Sequence, residues 1–296
     1  MITARIIADS ISDSGKRITT FEIEYPRFIH GEFMTHRMLS RNSASSRAIP
    51  LKTMLKMVWN NPAQPVHWGR NQSGMQAKEE LTGVSLYATK KLWKWSGRAV
   101  CGFAWLMDKA KVHKQVANRV LEPWSHMKVV VTATDWDNFF YLRNHPDAQP
   151  EIHVLAKKMW ALYSTNKPKR LREGEWHLPY LDEYKVISDE LYKVAVANKK
   201  IDHSNMIALS DAIKLSASLC AQVSYRKSDE SVAKAIKIYD RLVESKPVHA
   251  SPFEHQATPA KNSIWQSGNF RGWIQYRQLI NGHVCNKYEG ETTKPS

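Results

Sequence analysis

Thr19-Thr20-Phe21-Glu22-Ile23-Glu24-Tyr25-Pro26 decides the fold class. Apolar Phe21, Ile23 and Tyr25 alternate with polar Thr20, Glu22 and Glu24, the period-two pattern of a half-buried strand. Pro26 ends it, because proline has no N–H for a strand ladder. Val129-Val130-Val131 reads as a second, short buried strand. Elsewhere the spacing turns helical. Ile152, Leu155, Met159 and Leu162 share one helix face. So do Val232, Ala235, Ile236, Tyr239, Leu242 and Val243, with Ser228 and Asp229 as N-terminal caps and Pro247 beyond the end. Val100, Phe103, Met107, Ala110, Ala117 and Val120 form another helical run, which Pro123 stops. Strands mixed with helices, without regular βαβ alternation, predict an α+β fold.

The 296 residues suffice for a full core. Residues 1–296 read as a single catalytic domain. Residues 164–182, basic and carrying Pro168, Gly174 and Pro179, are the one internal boundary candidate. Residues 51–75 hold Pro62, Pro65, Gly69 and Gly74 and read as a long loop, the kind that serves as a lid.

Hydrophobic residues make up 43% and charged residues 24%, which excludes disorder as the main state. Lys and Arg number 43 against 28 Asp and Glu, a net charge of +15 that favours anionic partners. The apolar run Ala99 to Met107 is too short to span a bilayer. The opening MITARIIADS lacks the apolar core of a secretory signal. The cysteines are Cys101, Cys220 and Cys285; an odd number without CxxC argues against a disulfide framework and a zinc ribbon. A cytoplasmic protein with reduced thiols and no membrane association is expected. The eleven tryptophans read as mostly core and interface residues. There is no GxGxxG, Walker A or GxSxG motif.

The densest polar cluster runs from Thr35 to Arg47, THRMLSRNSASSR. Arginine forks, hydroxyls and backbone amides together suit a phosphate. A solvated polar loop with helix caps has the same composition. His249-Ala250-Ser251-Pro252-Phe253-Glu254-His255 holds two histidines and a carboxylate. Pro252 prevents the regular helix that would put two ligands on one face, so no metal is assigned. A capped turn leading into a strand is the simpler reading. Asn138-Phe139-Phe140-Tyr141-Leu142-Arg143 and Asp147 to Ile152 would pass as a core edge beside a helix start.

Together these segments resemble the flavin-dependent thymidylate synthase (ThyX) family. Thr35-His36-Arg37 with Ser40, Asn42, Ser45 and Arg47 resembles its RHR block. Arg119-Val120-Leu121-Glu122-Pro123 resembles an Arg-x-x-x-Pro block. Asn138 to Arg143 with Ala148-Gln149-Pro150-Glu151-Ile152 resembles NFLxLR…AQxEI. Ala221 to Tyr225 resembles AARVSF, and His249 to His255 resembles HxTPFEH. The last two blocks come first in the family and last here, so the motif order is circularly permuted. Termini that lie close in space permit that. Thr35 stands for the first Arg of RHR, Ser43 for a Glu, Ala48 for a Tyr and Glu32 for a Gln.

The resemblance implies a mixed sheet with packed helices and permuted connectivity. It implies a homotetramer with FAD between subunits, and methylation of dUMP at C5 with methylenetetrahydrofolate as carbon donor and NADPH as reductant. Carried over by motif, Glu32, Ser43, Ser45, Ser46, Arg47, Arg119 and Arg143 would bind dUMP. Arg143 would also be catalytic, stabilising charge on the uracil ring. His36, Arg37, Met38, Asn42, Asn138, His249, Ser251 and Glu254 would hold FAD. The altered positions keep open a flavin- and folate-dependent dUMP hydroxymethylase, which traps the one-carbon unit with water. A basic nucleic-acid-binding protein is the alternative of another class, resting on the pI near 9.6 without a nucleic-acid motif; no nucleic acid partner is expected.

Overall fold

A hairpin opens the chain, and the sheet is built outward from it. Strand β1 (Thr3–Ser12) pairs antiparallel with β2 (Arg17–Pro26) across a turn in which Gly15 takes φ +78°, a conformation open to glycine. In this computed structural model residues 1–197, 205–223, 231–261 and 264–286 are described. Next come α1 (His30–Met34), β3 (Ser40–Ser43), α2 (Leu51–Asn60), α3 (Gly83–Lys109), α4 (Lys114–Ala117) and β4 (His126–Ala133). Then α5 (Asp137–Arg143), α6 (Pro150–Thr165) and β5 (Lys169–Leu171) complete the main sheet and its helices. Its order is β3-β4-β2-β1-β5, with β5 parallel to β1 and the other neighbours antiparallel. The fold is α+β.

Period-two alternation sorts the sheet into two faces. Phe21, Ile23 and Tyr25 of β2 and Val129 and Val131 of β4 are fully buried. They join Trp136, Phe139 and Phe140 around α5 and Ile152, Leu155 and Met159 of α6 in one core. Burying each such side chain contributes about 1.5–3 kcal/mol. Gln149 caps α6, accepting from the amides of Glu151 and Ile152, with Pro150 at the first turn. Buried Glu151 accepts the Val66 amide at 2.6 Å, which ties the loop after α2 to α6.

The opposite face is more polar and receives the C-terminal half. Here lie β6 (Lys185–Ile187), α7 (Asp189–Ala197), β7 (Met206–Ala208), α8 (Leu209–Ala221), α9 (Val232–Glu244), β8 (Ala257–Pro259) and β9 (Trp273–Gln275). Cys220 and Val223 pack on Ile7, Ala44 and Val130. Thr20 and Thr132, paired across β2 and β4, hydrogen-bond each other at 2.7 Å. Thr20 also bonds His177 Nε2 at 2.8 Å, and Thr132 bonds His255 Nδ1 at 2.9 Å. His177 Nδ1 reaches Ser10 at 2.9 Å. Five buried side chains therefore stitch β1, β2 and β4 to the residue-177 loop and the residue-255 turn.

Several expectations need correction. Residues 51–75 are not one loop. Leu51, Met54 and Val58 form the buried face of α2, because every proline and glycine of that stretch lies beyond Asn60. The run from Val100 to Val120 is two helices: Lys111 at φ 65° breaks it between α3 and α4. Pro123 sits inside a 3-10 turn, Asn118–Trp124, rather than after a helix. The side of α3 facing the core is Gly97, Cys101 and Ala104, and Phe103 points out. The polar cluster at 35–47 contains strand β3, so it is not simply a loop. Ser231 caps α9, accepting from the Lys234 amide; Ser228 and Asp229 lie outside the described residues. Trp59, Trp95, Trp105, Trp160 and Trp265 are exposed, while Trp68, Trp136 and Trp273 are core. The residue 164–182 connector carries β5, which hydrogen-bonds into the main sheet. Among the described residues no helix is long and apolar enough to cross a membrane.

Candidate functional site

The short helix α1, the turn at residues 35–39 and β3 form the spine of the site. Arg41 Nη1 donates to the carbonyls of Met34 and His36, at 3.2 and 3.0 Å, and so closes the open end of α1. The turn between them separates two cavities that share Arg37 and Leu39.

The first cavity, about 550 Å³, is lined by Thr35, His36, Arg37 and Met38 on one side. Asn138, Phe139 and Arg143 of α5 line the other, with Asp135, Asp137 and Arg271 at its edge. Arg143 Nε donates to His36 Nε2 at 2.8 Å, and its Nη2 donates to the Thr35 hydroxyl at 3.2 Å. Glu32 stands 4.0 Å from Arg143 Nη1. The His36 ring meets Phe139 edge-on, with centroids 5.0 Å apart. Burial, and then the guanidinium groups of Arg143 and Arg41, push the His36 pKa down to about 4.

The second cavity, about 620 Å³, lies between β3 and the C-terminal segment. Arg37, Arg41, Ser43, Glu254, Asn269, Gln275 and Arg277 are among its walls. Arg277 pairs with Glu254. Buried Gln275 donates to Ser40 Oγ at 3.1 Å and to Asn269 Oδ1 at 3.0 Å. Asn42 donates to the Cys220 carbonyl at 2.6 Å and accepts from Ser251 at 3.4 Å. These bonds bring the turn at 251–254 and the end of β9 against β3, more than 200 residues away in sequence.

The expected site residues fall into groups. His36, Arg37, Met38, Asn138 and Arg143 share the first cavity, with Glu32 beside it. Arg37, Ser43 and Glu254 share the second, and Asn42 and Ser251 bond each other next to it. Ser46 and Arg119 meet elsewhere, at Glu122. Ser45 is half-buried and Arg47 is exposed beside them in sequence, neither lining these cavities. His249 is exposed after α9 and lines neither. His255 points away from it, into the buried threonine pair. Ser224 and Tyr225 lie outside the described residues. The turn at 251–254 does lead into strand β8, with no side-chain cap. Sequence reading placed Arg41 in the polar cluster at 35–47 without assigning it to a ligand, and it gave no site role to Arg271, Gln275 and Arg277, because segment 264–286 has no long periodic element. A third cavity, about 460 Å³, opens by β1 and β5 and contains none of the expected residues.

The family model for thymidylate synthase complementing protein matches residues 17–169. The chain belongs to that family and is an enzyme of that kind. The match spans the blocks at 35–47, 119–123 and 138–152 and leaves the 221–225 and 249–255 blocks outside it. Two solved structures of a UMP/dUMP methylase, PolB from Streptomyces cacaoi, are similar to this chain. The one bound with 5-Br UMP has 16% identity and a TM-score of 0.44, covering 55% of this chain and 89% of that one. The one bound with 5-Br dUMP has 15% identity and the same TM-score, covering 55% and 90%. No curated protein matches.

Proposed function

We propose that this enzyme transfers a one-carbon unit to C5 of dUMP, with FAD, methylenetetrahydrofolate and NADPH, to form dTMP. One observation carries the reading: His36, Arg37, Asn138 and Arg143, from blocks a hundred residues apart, line one cavity in a chain of this family. The Arg143 guanidinium is a planar fork with directed donors, suited to stabilising charge that would develop on the ring. Its Nε and Nη2 are already aimed by His36 and Thr35, so little reorganisation precedes the reaction.

The residues present fit a flavin dinucleotide. Arg37, Arg41, Arg271 and Arg277 face the paired cavities, and a diphosphate needs such forks. Arg37 is exposed, with no acidic partner at ion-pair distance among the described residues. His36, Arg37, Met38, Asn138 and Glu254 would hold the flavin, with Asn42 and Ser251 bracing the wall. The bound flavin supplies the hydride chemistry. The net charge of +15 suits anionic ligands throughout.

Helix α3 supports subunit association. Val84, Leu92, Trp95, Phe103 and Leu106 are exposed on the side opposite Gly97, Cys101 and Ala104. A helix apolar on both faces calls for a second cover, which a homotetramer would provide. A cytoplasmic location fits its substrates.

The test incubates the purified chain with dUMP, methylenetetrahydrofolate, NADPH and FAD and weighs the nucleotide formed. A methyl increment on the base supports the proposal. A hydroxymethyl increment would establish the hydroxymethylase instead, and unchanged dUMP from a colourless protein would end both. Co-purifying nucleic acid in place of flavin would favour the nucleic-acid-binding alternative.

A further inference from the structure

Away from the two cavities, three donors converge on one oxygen. Ser46 Oγ donates to Glu122 Oε1 at 2.6 Å. Arg27 Nη2 lies 3.2 Å from the same oxygen, and Arg119 Nη1 lies 3.4 Å from it. The set is built before any ligand arrives. Ser46 is 3% exposed. Buried Asn118 donates to the carbonyls of Ser46 and Ile49, at 2.7 and 2.9 Å, which fixes the turn presenting Ser46. Arg119 and Glu122 are three apart on the 3-10 turn Asn118–Trp124, so their side chains share an edge. Arg27 directly follows β2, in the 3-10 turn Arg27–Ile29, and is fastened by its amide to the Ser125 carbonyl at 2.9 Å. Two guanidinium groups and a hydroxyl around one oxygen would receive a phosphate as readily as a carboxylate. The Glu122 side chain is 20% exposed, so it has a way out to solvent.

We propose that Arg27, Arg119 and Ser46 form a phosphate site and that Glu122 is its internal occupant. A phosphate dianion enters by replacing the Glu122 carboxylate, which rotates towards solvent. Its two charges give it the advantage over a carboxylate, so Glu122 selects dianions and keeps singly charged anions out. This rests on the proposed function and on the expectation, carried over from the family resemblance, that Ser46 and Arg119 bind dUMP; it adds Arg27 as a ligand and Glu122 as the selector.

The experiment is isothermal titration of the full chain with inorganic phosphate and, separately, with dUMP. Wild type, Glu122→Gln and the double variant Arg27→Gln/Glu122→Gln are compared, each checked by circular dichroism. Glu122→Gln is expected to bind both probes on the order of tenfold tighter, the worth of one charge-assisted hydrogen bond. The added Arg27→Gln change should take that gain back. Unchanged or weaker phosphate binding in Glu122→Gln overturns the inference, and dUMP binding by wild type in the same experiment would leave the functional reading standing. Tighter phosphate binding with no dUMP binding in any protein would sink the functional reading and keep the anion site. Glu122→Ala serves if the Gln variant fails to fold; unfolding of both would mark Glu122 as a structural hub and reject its role as occupant.

Discussion

Arg143 donates through Nε to Nε2 of His36 at 2.8 Å, across a separation of 107 positions. The acceptor nitrogen is therefore unprotonated, and the His36 proton sits on Nδ1. A guanidinium held by a neutral imidazole keeps its full charge, whereas one held by a carboxylate would be partly cancelled. Glu32, at 4.0 Å and partly exposed, stays at the edge of this arrangement.

His36 should stay neutral well into acid. Its folded pKa, about 4, is below the ordinary 6.5. The contact is present above the unfolded value and is lost as pH falls through about 4. Histidine NMR should show a midpoint near 4. In Arg143→Ala the midpoint should rise but stop short of 6.5, because burial is the larger cause. A midpoint already at 6.5 in the wild type would contradict the geometry.

Arg143→Lys tests the planar fork against the bare charge. Lys keeps the charge but cannot reach His36 and Thr35 together. Turnover on dUMP should fall about a hundredfold, nearly as far as in Arg143→Ala, as for loss of one transition-state donor worth about 3 kcal/mol. Bound flavin should be unchanged. Steady-state kinetics at saturating flavin decides; full turnover in Arg143→Ala would remove this residue from the chemistry.

His177 and His255 should make the fold acid-labile. Burial pushes both down to about 3, and His177 adds a smaller push on His255. Unfolded chains take up these protons below 6.5 and the native state does not, so stability is full above 6.5 and declines as pH falls towards 3. Each histidine contributes a slope of about 1.4 kcal/mol per pH unit in that window. Urea unfolding at stepped pH measures it. His255→Asn, which can still meet Thr132 in the Nδ1 position, should lower the slope by about 1.4 kcal/mol per pH unit, the share of one histidine.

Gly97→Ala should destabilise although it improves helix propensity. A Cβ there would stand 2.8 Å from Trp124 Cδ1, on the core side of α3. Overpacking costs about 1–3 kcal/mol, against at most about 1 kcal/mol gained from propensity. A lower urea midpoint with an unchanged slope is the expected result; a higher midpoint would show that Trp124 yields freely.

The alternation at 19–25, the valines at 129–131 and the helical spacings at 152–162 and 232–243 were legible because they are local. One residue's side-chain direction follows from its neighbours along the chain. The family blocks were legible for the same reason, since each is a short run. The longer reading at 51–75 failed because late prolines and glycines masked the periodicity of Leu51, Met54 and Val58. β1 went unread because its outward residues mix with inward Ile7, Asp9 and Ser10, and its partners β2 and β5 are what make it a strand.

The site itself depends on packing across distance. Glu254 could be named from its block, but its pairing with Arg277 and its place opposite Arg41 exist only once β3 meets the turn at 251–254. The same holds for Glu122, which sequence reading took as a spacer between Arg119 and Pro123, and which the 3-10 turn sets on Ser46 and Arg27. Periodicity and motif spacing carry which faces are buried and which chemistry is available. Which charges meet is decided by long-range contacts, because a salt bridge or hydrogen bond depends on ångström distances that no one-dimensional spacing encodes.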